Sequence, residues 1–311
     1  MQQQQTWYAH GKLLITGEYL VLSGARALAV PVNHGQHLQV VSALAKKDAR
    51  LLWTAKKPGG LWFRAEVELP TLQIVKTTDK ILTKKLIEIF TVIREFAPAF
   101  LDGRKSYEVE TRLEFAPEFG FGSSSTLISN LAFWAGINPF DLQRKALGGS
   151  GYDVACAREV KPVFYQLLNG KPVVEPVAWL PPFKNRIYFV YLGQKQRSDE
   201  SIARFKKSAV FSGSDIENIS AIGEKLVKTD NLKDFENLLS EHEKIMSAIL
   251  GIAPVKERLF KGHQGIVKSL GAWGGDFVLI TNHCTDEAFR EQMKSMGFNT
   301  MFSWDELVLR K

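Results

Sequence analysis

Alternating hydrophobic and polar residues predict several strands in the first half of the chain. From residue 107 to residue 115, Tyr, Val, Thr, Leu and Phe alternate with Glu and Arg, which is the period-two pattern of a half-buried strand. Weaker signals predict strands over 12–15, 35–42 and 61–69. The spacing then changes, because apolar residues between 127 and 134 recur every three to four positions and predict a helix that ends near Gly136.

A helix, a hairpin and a break complete the first half. The helix is predicted over 79–96, with an apolar stripe of Ile81, Leu82, Leu86, Ile89 and Ile93. Residues 163–177 predict a hairpin that turns at Asn169-Gly170. Pro181-Pro182 then interrupts the pattern, so we predict one domain over 1–182 and a second over 183–311.

The second half mixes the same kinds of element. Strands are predicted over 186–192 and 276–281, with a terminal strand region over 301–309, and helices over 215–228, 232–250 and 287–296. His242 lies on the packed face of the helix over 232–250, where a core-edge role is more common than a ligand role. Because both halves combine strands and helices, with hairpins rather than regular βαβ alternation, the predicted fold class is α+β.

Composition narrows the class of protein. The 311 residues are 45% hydrophobic, enough for two domains or one large unit with an appended layer. We find no stretch near the roughly 20 apolar residues of a membrane-spanning helix, and the start M-Q-Q-Q-Q-T-W-Y-A-H lacks the layout of a signal peptide. Cys156 and Cys284 form neither a metal-binding spacing nor a disulfide framework. We therefore expect a cytoplasmic protein without a membrane partner.

Charge favours a small anionic ligand over nucleic acid. The net charge of +7 is compatible with phosphorylated or carboxylate ligands. The lysines and arginines are scattered, however, and Lys84-Lys85 and Lys206-Lys207 are short pairs rather than a basic stripe. Nucleic acid is therefore not predicted as a partner.

The stretch P-E-F-G-F-G-S-S-S-T over 117–126 lies between the predicted strand and the predicted helix. In that arrangement, backbone N–H groups and the positive end of the helix dipole converge on one spot, which suits an anionic phosphate. Gly120 and Gly122 allow a close backbone approach, and three serines supply hydroxyls for phosphate or Mg²⁺. A serine cap after an ordinary turn explains the same residues, so at this point both interpretations stand.

Three further segments have candidate chemistry. In H-G-K-L-L-I-T-G-E-Y-L-V-L-S-G, Lys12 opens an apolar strand and can direct its ammonium into a cleft, or it is a surface lysine. In G-G-S-G-Y-D-V-A-C-A, a glycine-rich approach leads to Asp153, which suits a carboxylate that accepts a proton or orients a hydroxyl; a helix cap is the alternative. In V-K-S-L-G-A-W-G-G-D-F-V-L-I, glycines precede a strand, as in a loop close to a ligand or in a tight turn.

These four segments, in this order, resemble the GHMP kinases, the family of galacto-, homoserine, mevalonate and phosphomevalonate kinases. The resemblance covers roughly residues 8 to 305 and is most specific in G-F-G-S-S-S-T. It implies an N-terminal domain like that of ribosomal protein S5, with a left-handed βαβ unit, and a ferredoxin-like C-terminal domain. The family phosphorylates small molecules with ATP and Mg²⁺. G-E-Y and the K-S-x-G-A-x-G-G-D pattern look most like phosphomevalonate kinase.

The resemblance also implies residue roles. Asp153 would be the catalytic aspartate and Lys12 its cationic partner. The ATP phosphates would lie on Gly120, Phe121, Gly122, Ser123, Ser124, Ser125 and Thr126, with Ser124 also contacting Mg²⁺. The acceptor site would include Glu18, Tyr19, Ser150, Gly151, Lys195, Ser198, Lys268, Gly271, Gly274, Gly275 and Asp276, with Arg197 as a further cation. For Lys195, Arg197 and Lys268, charges on a solvated loop are the alternative.

Departures from the family pattern leave the acceptor open. Phe119 and Phe121 replace a small residue and a leucine, and His10 replaces a proline. Trp273 replaces a glycine, and its side chain would fill space that the family leaves for substrate or phosphate. We expect phosphomevalonate as the acceptor, with three alternatives: a mevalonate kinase, a non-catalytic nucleotide-binding relative, and a decarboxylase of a diphosphorylated mevalonate.

Overall fold

Two long strands begin the chain, β1 (Gln3–Thr16) and β2 (Ala27–Leu44), and they pair with each other. The computed structural model describes residues 2–45, 47–193, 203, 205, 207, 209–271, 273 and 276–310. The fold has two compact units: the first comprises Met1–Gly11, His34–Pro117 and Gly122–Arg158, and the second comprises Lys12–Asn33, Glu118–Phe121 and Glu159–Lys311. Each unit is discontinuous in sequence because β1 and β2 contribute residues to both, and because Glu118–Phe121 belongs to the second unit. The domain boundary at residue 182 stays a prediction.

The first unit is a sheet with helices. Its strands are β3 (Ala49–Lys57), β4 (Gly60–Leu69), β5 (Ile74–Thr77), β6 (Lys105–Leu113) and the second part of β2, in the order β5-β4-β3-β6-β2. β3 and β6 run parallel, with Trp53 opposite Val109, and the other neighbours are antiparallel. Its helices are α1 (Lys80–Phe96), α2 (Ser123–Ala135), α3 (Pro139–Ala146) and α4 (Tyr152–Arg158).

The hydrophobic core of this unit confirms most of the predicted stripe of α1. The side chain of Asp79 caps the helix by accepting the N–H groups of Ile81 and Leu82. Leu86, Phe90 and further residues of α1 pack into the core with β3. Ile81, by contrast, is 72% exposed, so its place in the stripe was wrong. It lies about 140° around the helix axis from Leu86, away from the sheet.

The second unit contains two sets of strands. The predicted hairpin is confirmed as β7 (Val163–Leu168) and β8 (Lys171–Pro176), and β7 pairs with the first part of β2. A separate antiparallel sheet has the order β10-β11-β9-β12, formed by β9 (Ile187–Tyr191), β10 (Val267–Ser269), β11 (Phe277–Thr281) and β12 (Met301–Ser303). Its helices are α5 (Gly213–Leu226), α6 (Leu232–Leu250), α7 (Val255–Leu259), α8 (Asp286–Ser295) and α9 (Trp304–Leu307).

The order of elements from β9 to β12 is that of a ferredoxin-like domain. One strand, a helical segment, two strands, a helix and a final strand follow each other along the chain, and the first strand lies inside the antiparallel sheet. The α+β class is therefore confirmed. In the described part of the chain, no helix is long and apolar enough to cross a membrane.

The terminal strand is shorter than predicted. β12 ends at Ser303, where the hydroxyl accepts the Glu306 N–H at 3.3 Å and the Glu306 carboxylate accepts the Ser303 N–H at 2.6 Å. This reciprocal pair is a capping box. It starts α9, so the prediction of a strand region over 301–309 was wrong beyond Ser303.

Candidate active site

The serine loop ends at the start of α2 in the first unit. Gly122 precedes the helix with φ 89°, in the left-handed region that favours glycine. The thirteen residues of α2 give the loop a helix N-terminus, whose first N–H groups and dipole favour an anion. Ser124 is exposed there, so its hydroxyl is accessible to a phosphate oxygen or to Mg²⁺. This geometry suits the predicted phosphate site.

The hydroxyls of Ser125 and Thr126 have partners within the unit. Ser125 donates to the carbonyl of Gly122 at 3.2 Å. Thr126 is buried and donates to Oε1 of Gln36 at 2.8 Å, while the side chain of Asn130 donates to the Gln36 carbonyl at 2.8 Å. Gln36, which the sequence patterns did not single out, therefore anchors the first turns of α2. Exposure favours Ser124 over Ser125 and Thr126 as a hydroxyl that meets a ligand.

Asp153 lies in the first turn of α4 and is half-buried. The approach to it is tightly turned: Gly151 has φ 92°, and its carbonyl accepts the N–H groups of Val154 and Ala155, each at 3.1 Å. Val154, Ala155 and Cys156 behind the aspartate are buried. Asp153 thus lies on a short helix whose next residues are apolar and buried, as the sequence pattern suggested.

Arg158 links α4 to α2 and was not predicted. Its guanidinium donates to Oγ of Ser129 at 3.1 Å, to Oδ1 of Asn130 at 3.0 Å and to the carbonyl of Tyr8 at 2.6 Å. It also lies 4.0 Å from the ring centre of Phe133. Burial lowers the pKa of Arg158. The helix that carries Asp153 is therefore bonded to the helix that begins with the serine loop.

Lys12 is held against the other part of the serine loop in the second unit. The side chain is 9% exposed, and its ammonium donates to the Gly120 carbonyl at 3.0 Å. The backbone N–H of Lys12 donates to the Phe121 carbonyl at 3.0 Å. These bonds bring together sequence positions more than a hundred residues apart. The relation of Lys12 to Asp153, which belongs to the first unit, stays a prediction.

Asp276 also lies beside Gly120. A Cβ added at Gly120 would lie 2.7 Å from Oδ2 of Asp276, and one at Gly271 would lie 3.5 Å from it. With φ 69°, Gly120 is required both for its backbone conformation and for this close approach. Phe121 is buried, and its ring stacks on Phe277 at 4.9 Å. The aromatic replacement in the loop therefore fills the core of the unit, while its backbone faces Lys12.

Glu18 and Lys268 pair with each other inside the second unit. Both are buried, at 1% and 0% exposure, and the Lys268 ammonium donates to Oε1 of Glu18 at 2.6 Å. Tyr19, next along the chain, has φ 59° and stacks on Phe205 at 5.0 Å. Glu18 and Lys268, which the resemblance assigned to the acceptor site, therefore lie in the interior of the unit.

Trp273 is 4% exposed with φ 52°, and its indole N–H has no hydrogen-bond partner among the described residues. The side chain therefore fills interior space. Lys195, Arg197, Ser198, Gly274 and Gly275 lie outside the described residues. A cavity of about 730 Å³ in the second unit is lined by Lys184, Arg186, Cys284 and Asp286, among others, and by none of the predicted site residues that the structure describes.

No protein-family model and no curated protein matches the chain. Solved structures match nearly its whole length. L. major mevalonate kinase in complex with R-mevalonate is 15% identical with a TM-score of 0.70, covering 99% of this chain and 97% of that one. Streptococcus pneumoniae phosphomevalonate kinase in complex with phosphomevalonate and AMPPNP is 15% identical with a TM-score of 0.69, covering 96% and 99%. Lactococcus lactis galactokinase complexed with galactose is 12% identical with a TM-score of 0.67, covering 99% and 94%.

The chain has the GHMP kinase fold. This confirms the resemblance at the level of the fold, which three kinases with different substrates share. TM-scores of 0.67–0.70 establish the architecture even though the identities are only 12–15%, whereas the substrate depends on the site.

Proposed function

We propose that this protein is an ATP-dependent small-molecule kinase that phosphorylates phosphomevalonate. The observation that carries the proposal is the left-handed backbone of Gly122 beside the exposed Ser124 at the N-terminus of α2. One of the solved structures with the same fold is a complex with AMPPNP. An anion-binding helix terminus in that place suits the phosphates of ATP. The domain boundary at 182 and a cytoplasmic location accompany this proposal as predictions.

Phosphoryl transfer depends mainly on positioning and on neutralising charge. In the proposed mechanism, the amides of the serine loop hold the triphosphate. Asp153 orients or deprotonates the attacking group of the acceptor, which in phosphomevalonate is a phosphate oxygen, and Lys12 offsets negative charge on the transferred group. Asp276 and Gly271 border the acceptor.

Magnesium fits as an ion held chiefly by the nucleotide. No group of three or more His, Cys, Asp or Glu side chains in the described residues could hold a metal, and Ser124 is the protein ligand we assign. Mg²⁺ commonly binds through one or two protein groups together with phosphates and water. When bound, it would neutralise charge on the phosphates.

The preference for phosphomevalonate rests on G-E-Y and on the pattern that ends at Asp276. Mevalonate is the nearest alternative acceptor. A non-catalytic nucleotide-binding protein is the alternative from another class, and the buried Trp273 is the observation in its favour.

Coupled ADP release with mevalonate, phosphomevalonate, homoserine and galactose tests these functions together. We expect turnover to be fastest with phosphomevalonate. Fastest turnover with mevalonate would reassign the acceptor, and CO₂ release from a diphosphorylated mevalonate would indicate the decarboxylase. ATP binding without turnover on any acceptor would favour the non-catalytic function.

A further inference from the structure

Four ionisable side chains lie together in the interior of the second unit: Glu18, His242, Glu243 and Lys268, here called the Glu18 cluster. Lys268 donates to Glu18 at 2.6 Å and to the Ser269 carbonyl at 2.7 Å, and its ammonium lies 3.6 Å from Oε1 of Glu243. Oε2 of Glu18 lies 3.2 Å from Nε2 of His242. Buried charges are tolerated when they are paired and hydrogen-bonded, and here they pair with one another.

Two neighbouring residues of α6 bond to two distant backbone segments. Nε2 of His242 accepts the N–H of Gly17 at 3.3 Å. The carboxylate of Glu243 accepts the N–H of Ser269 at 3.2 Å and its hydroxyl at 3.3 Å. One turn of α6 therefore bonds to the end of β1 and to the end of β10.

Both segments continue directly into predicted site residues. β1 carries Lys12 and ends just before Gly17, and Tyr19 follows Glu18. Ser269 ends β10 and lies two residues before Gly271, in the segment that leads to Asp276. A shift of either backbone would move these residues, so the cluster supports both of them from inside the unit.

The charges within the cluster balance one another. Burial by itself would raise the pKa of Glu18, but the Lys268 ammonium holds it below its ordinary value. Burial and Lys268 lower the pKa of His242, and burial raises the pKa of Glu243 to about 7 although Lys268 opposes the rise. Glu18 is therefore ionised and His242 neutral, and the positive charge of Lys268 is already balanced. No surplus charge is left for a phosphorylated acceptor.

We propose that Glu18, Lys268, His242 and Glu243 are positioning residues, which hold the strand of Lys12 and the backbone from Ser269 to Gly271 in place, and that Lys268 does not bind the acceptor. The kinetic effects expected from this positioning role rest on the proposed kinase function. Glu18 and Lys268 thus hold the backbone in place, instead of making the acceptor contact that the resemblance implied.

A double-mutant cycle separates positioning from acceptor contact. We expect Glu18→Gln and Lys268→Met each to lower kcat by about tenfold or more, the scale of a small misplacement of reacting groups, with a smaller change in acceptor KM. The double variant should be no slower than the slower single variant, because it leaves no unpaired buried charge. A loss confined to acceptor KM in Lys268→Met, with effects that multiply in the double variant, would overturn the proposal.

Hydrogen–deuterium exchange tests the positioning without any turnover. Glu243→Gln and His242→Gln should each speed amide exchange over both 17–20 and 267–271, because each of these side chains lies directly against the Glu18–Lys268 pair that joins the two segments. Glu241→Gln, at an exposed position on the same helix, is the control. Faster exchange in only the segment that each side chain contacts would contradict the proposal. If exchange behaves as expected while the wild type turns over no acceptor, the kinase function fails and the positioning remains.

Discussion

The two units stabilise their candidate catalytic residues with different chemistry. In the first, Arg158 holds the helix of Asp153 through neutral acceptors: a serine hydroxyl, an asparagine side chain and a backbone carbonyl. In the second, the strand of Lys12 is followed by the Glu18 cluster, whose members are all ionisable. An arginine remains charged at any physiological pH, whereas a buried glutamate can gain or lose its proton. The second arrangement should therefore respond to pH and the first should not.

The largest effect is expected at Asp153 itself. Asp153→Asn should lower turnover by at least about 100-fold, the usual lower scale for a general base, because the amide has no negative charge with which to orient the acceptor or to accept its proton. Nucleotide binding should survive, as measured by calorimetric titration with an ATP analogue. Near wild-type turnover in this variant would refute the assignment of Asp153.

Substitution of Arg158 tests the arrangement in the first unit, in which a guanidinium donates to neutral acceptors. Arg158→Met should destabilise the protein by about 2–4 kcal/mol, because several buried acceptors each lose a partner at about 1–3 kcal/mol, and kcat should fall as well. Chemical denaturation measures the first effect and the ADP assay the second. Arg158→Lys is the matched variant, since it retains the charge and can keep one bond. We expect it to recover part of the stability, and full recovery would show that the other bonds are dispensable.

Gly120 and Gly136 form a matched pair, because both have φ 69° but different surroundings. A Cβ at Gly136 meets no atom within 4 Å, whereas at Gly120 it meets the carboxylate of Asp276. Both alanine variants carry the backbone strain, and Gly120→Ala should cost about 1–3 kcal/mol more because of overpacking. Denaturation curves give this difference. Equal losses would show that Asp276 moves away without cost.

The smallest effect concerns the pH dependence of stability. The pKa of Glu243 is about 7 when folded, against an ordinary value of 4.5, so the folded state holds the proton more tightly. Its contribution is complete below pH 4.5 and is lost as pH rises towards and through 7. The pKa of His242 is lowered, so below its ordinary pKa of 6.5 this residue changes stability with pH in the opposite direction. Because His242 is present in the wild type and in Glu243→Gln alike, its effect cancels when the two are compared.

Glu243→Gln should therefore lose less stability than the wild type between pH 5 and pH 7.5. The difference should be about 1.4 kcal/mol per pH unit at most. Thermal unfolding at several pH values measures it, with Glu241→Gln as the control. Identical slopes in wild type and Glu243→Gln would place the ionisation elsewhere.

Local patterns predicted the elements that have a clear period. The helix over 232–250 and the hairpin at Asn169-Gly170 have the predicted positions, because periodicity and turn chemistry are properties of neighbouring residues. β3 was missed although it is central in the first unit. Its exposed Leu52 blurs the alternation of hydrophobic and polar residues.

The residues that support the site were harder to find than the site itself. Lys12, the serine loop and Asp153 stand in short motifs, so their types and spacing suggested chemistry directly. Gln36, Arg158 and Glu243 act through contacts 26 to 94 residues away, and no local pattern marks such a partner. His242 was expected at the edge of the core. It is fully buried, and the ionisable side chain of Glu18 lies next to it.

The sequence by itself determined the class of fold, the order of the motifs and the residue types that phosphoryl transfer requires, because these depend on periodicity and on short spacings. Only the tertiary structure decided which charged side chains pair with one another inside the protein. Lys268 and Glu18 are 250 residues apart, and each looks like a ligand-binding group until its partner is known. Pairing and burial are properties of the whole fold, since they depend on which distant segments share an interior.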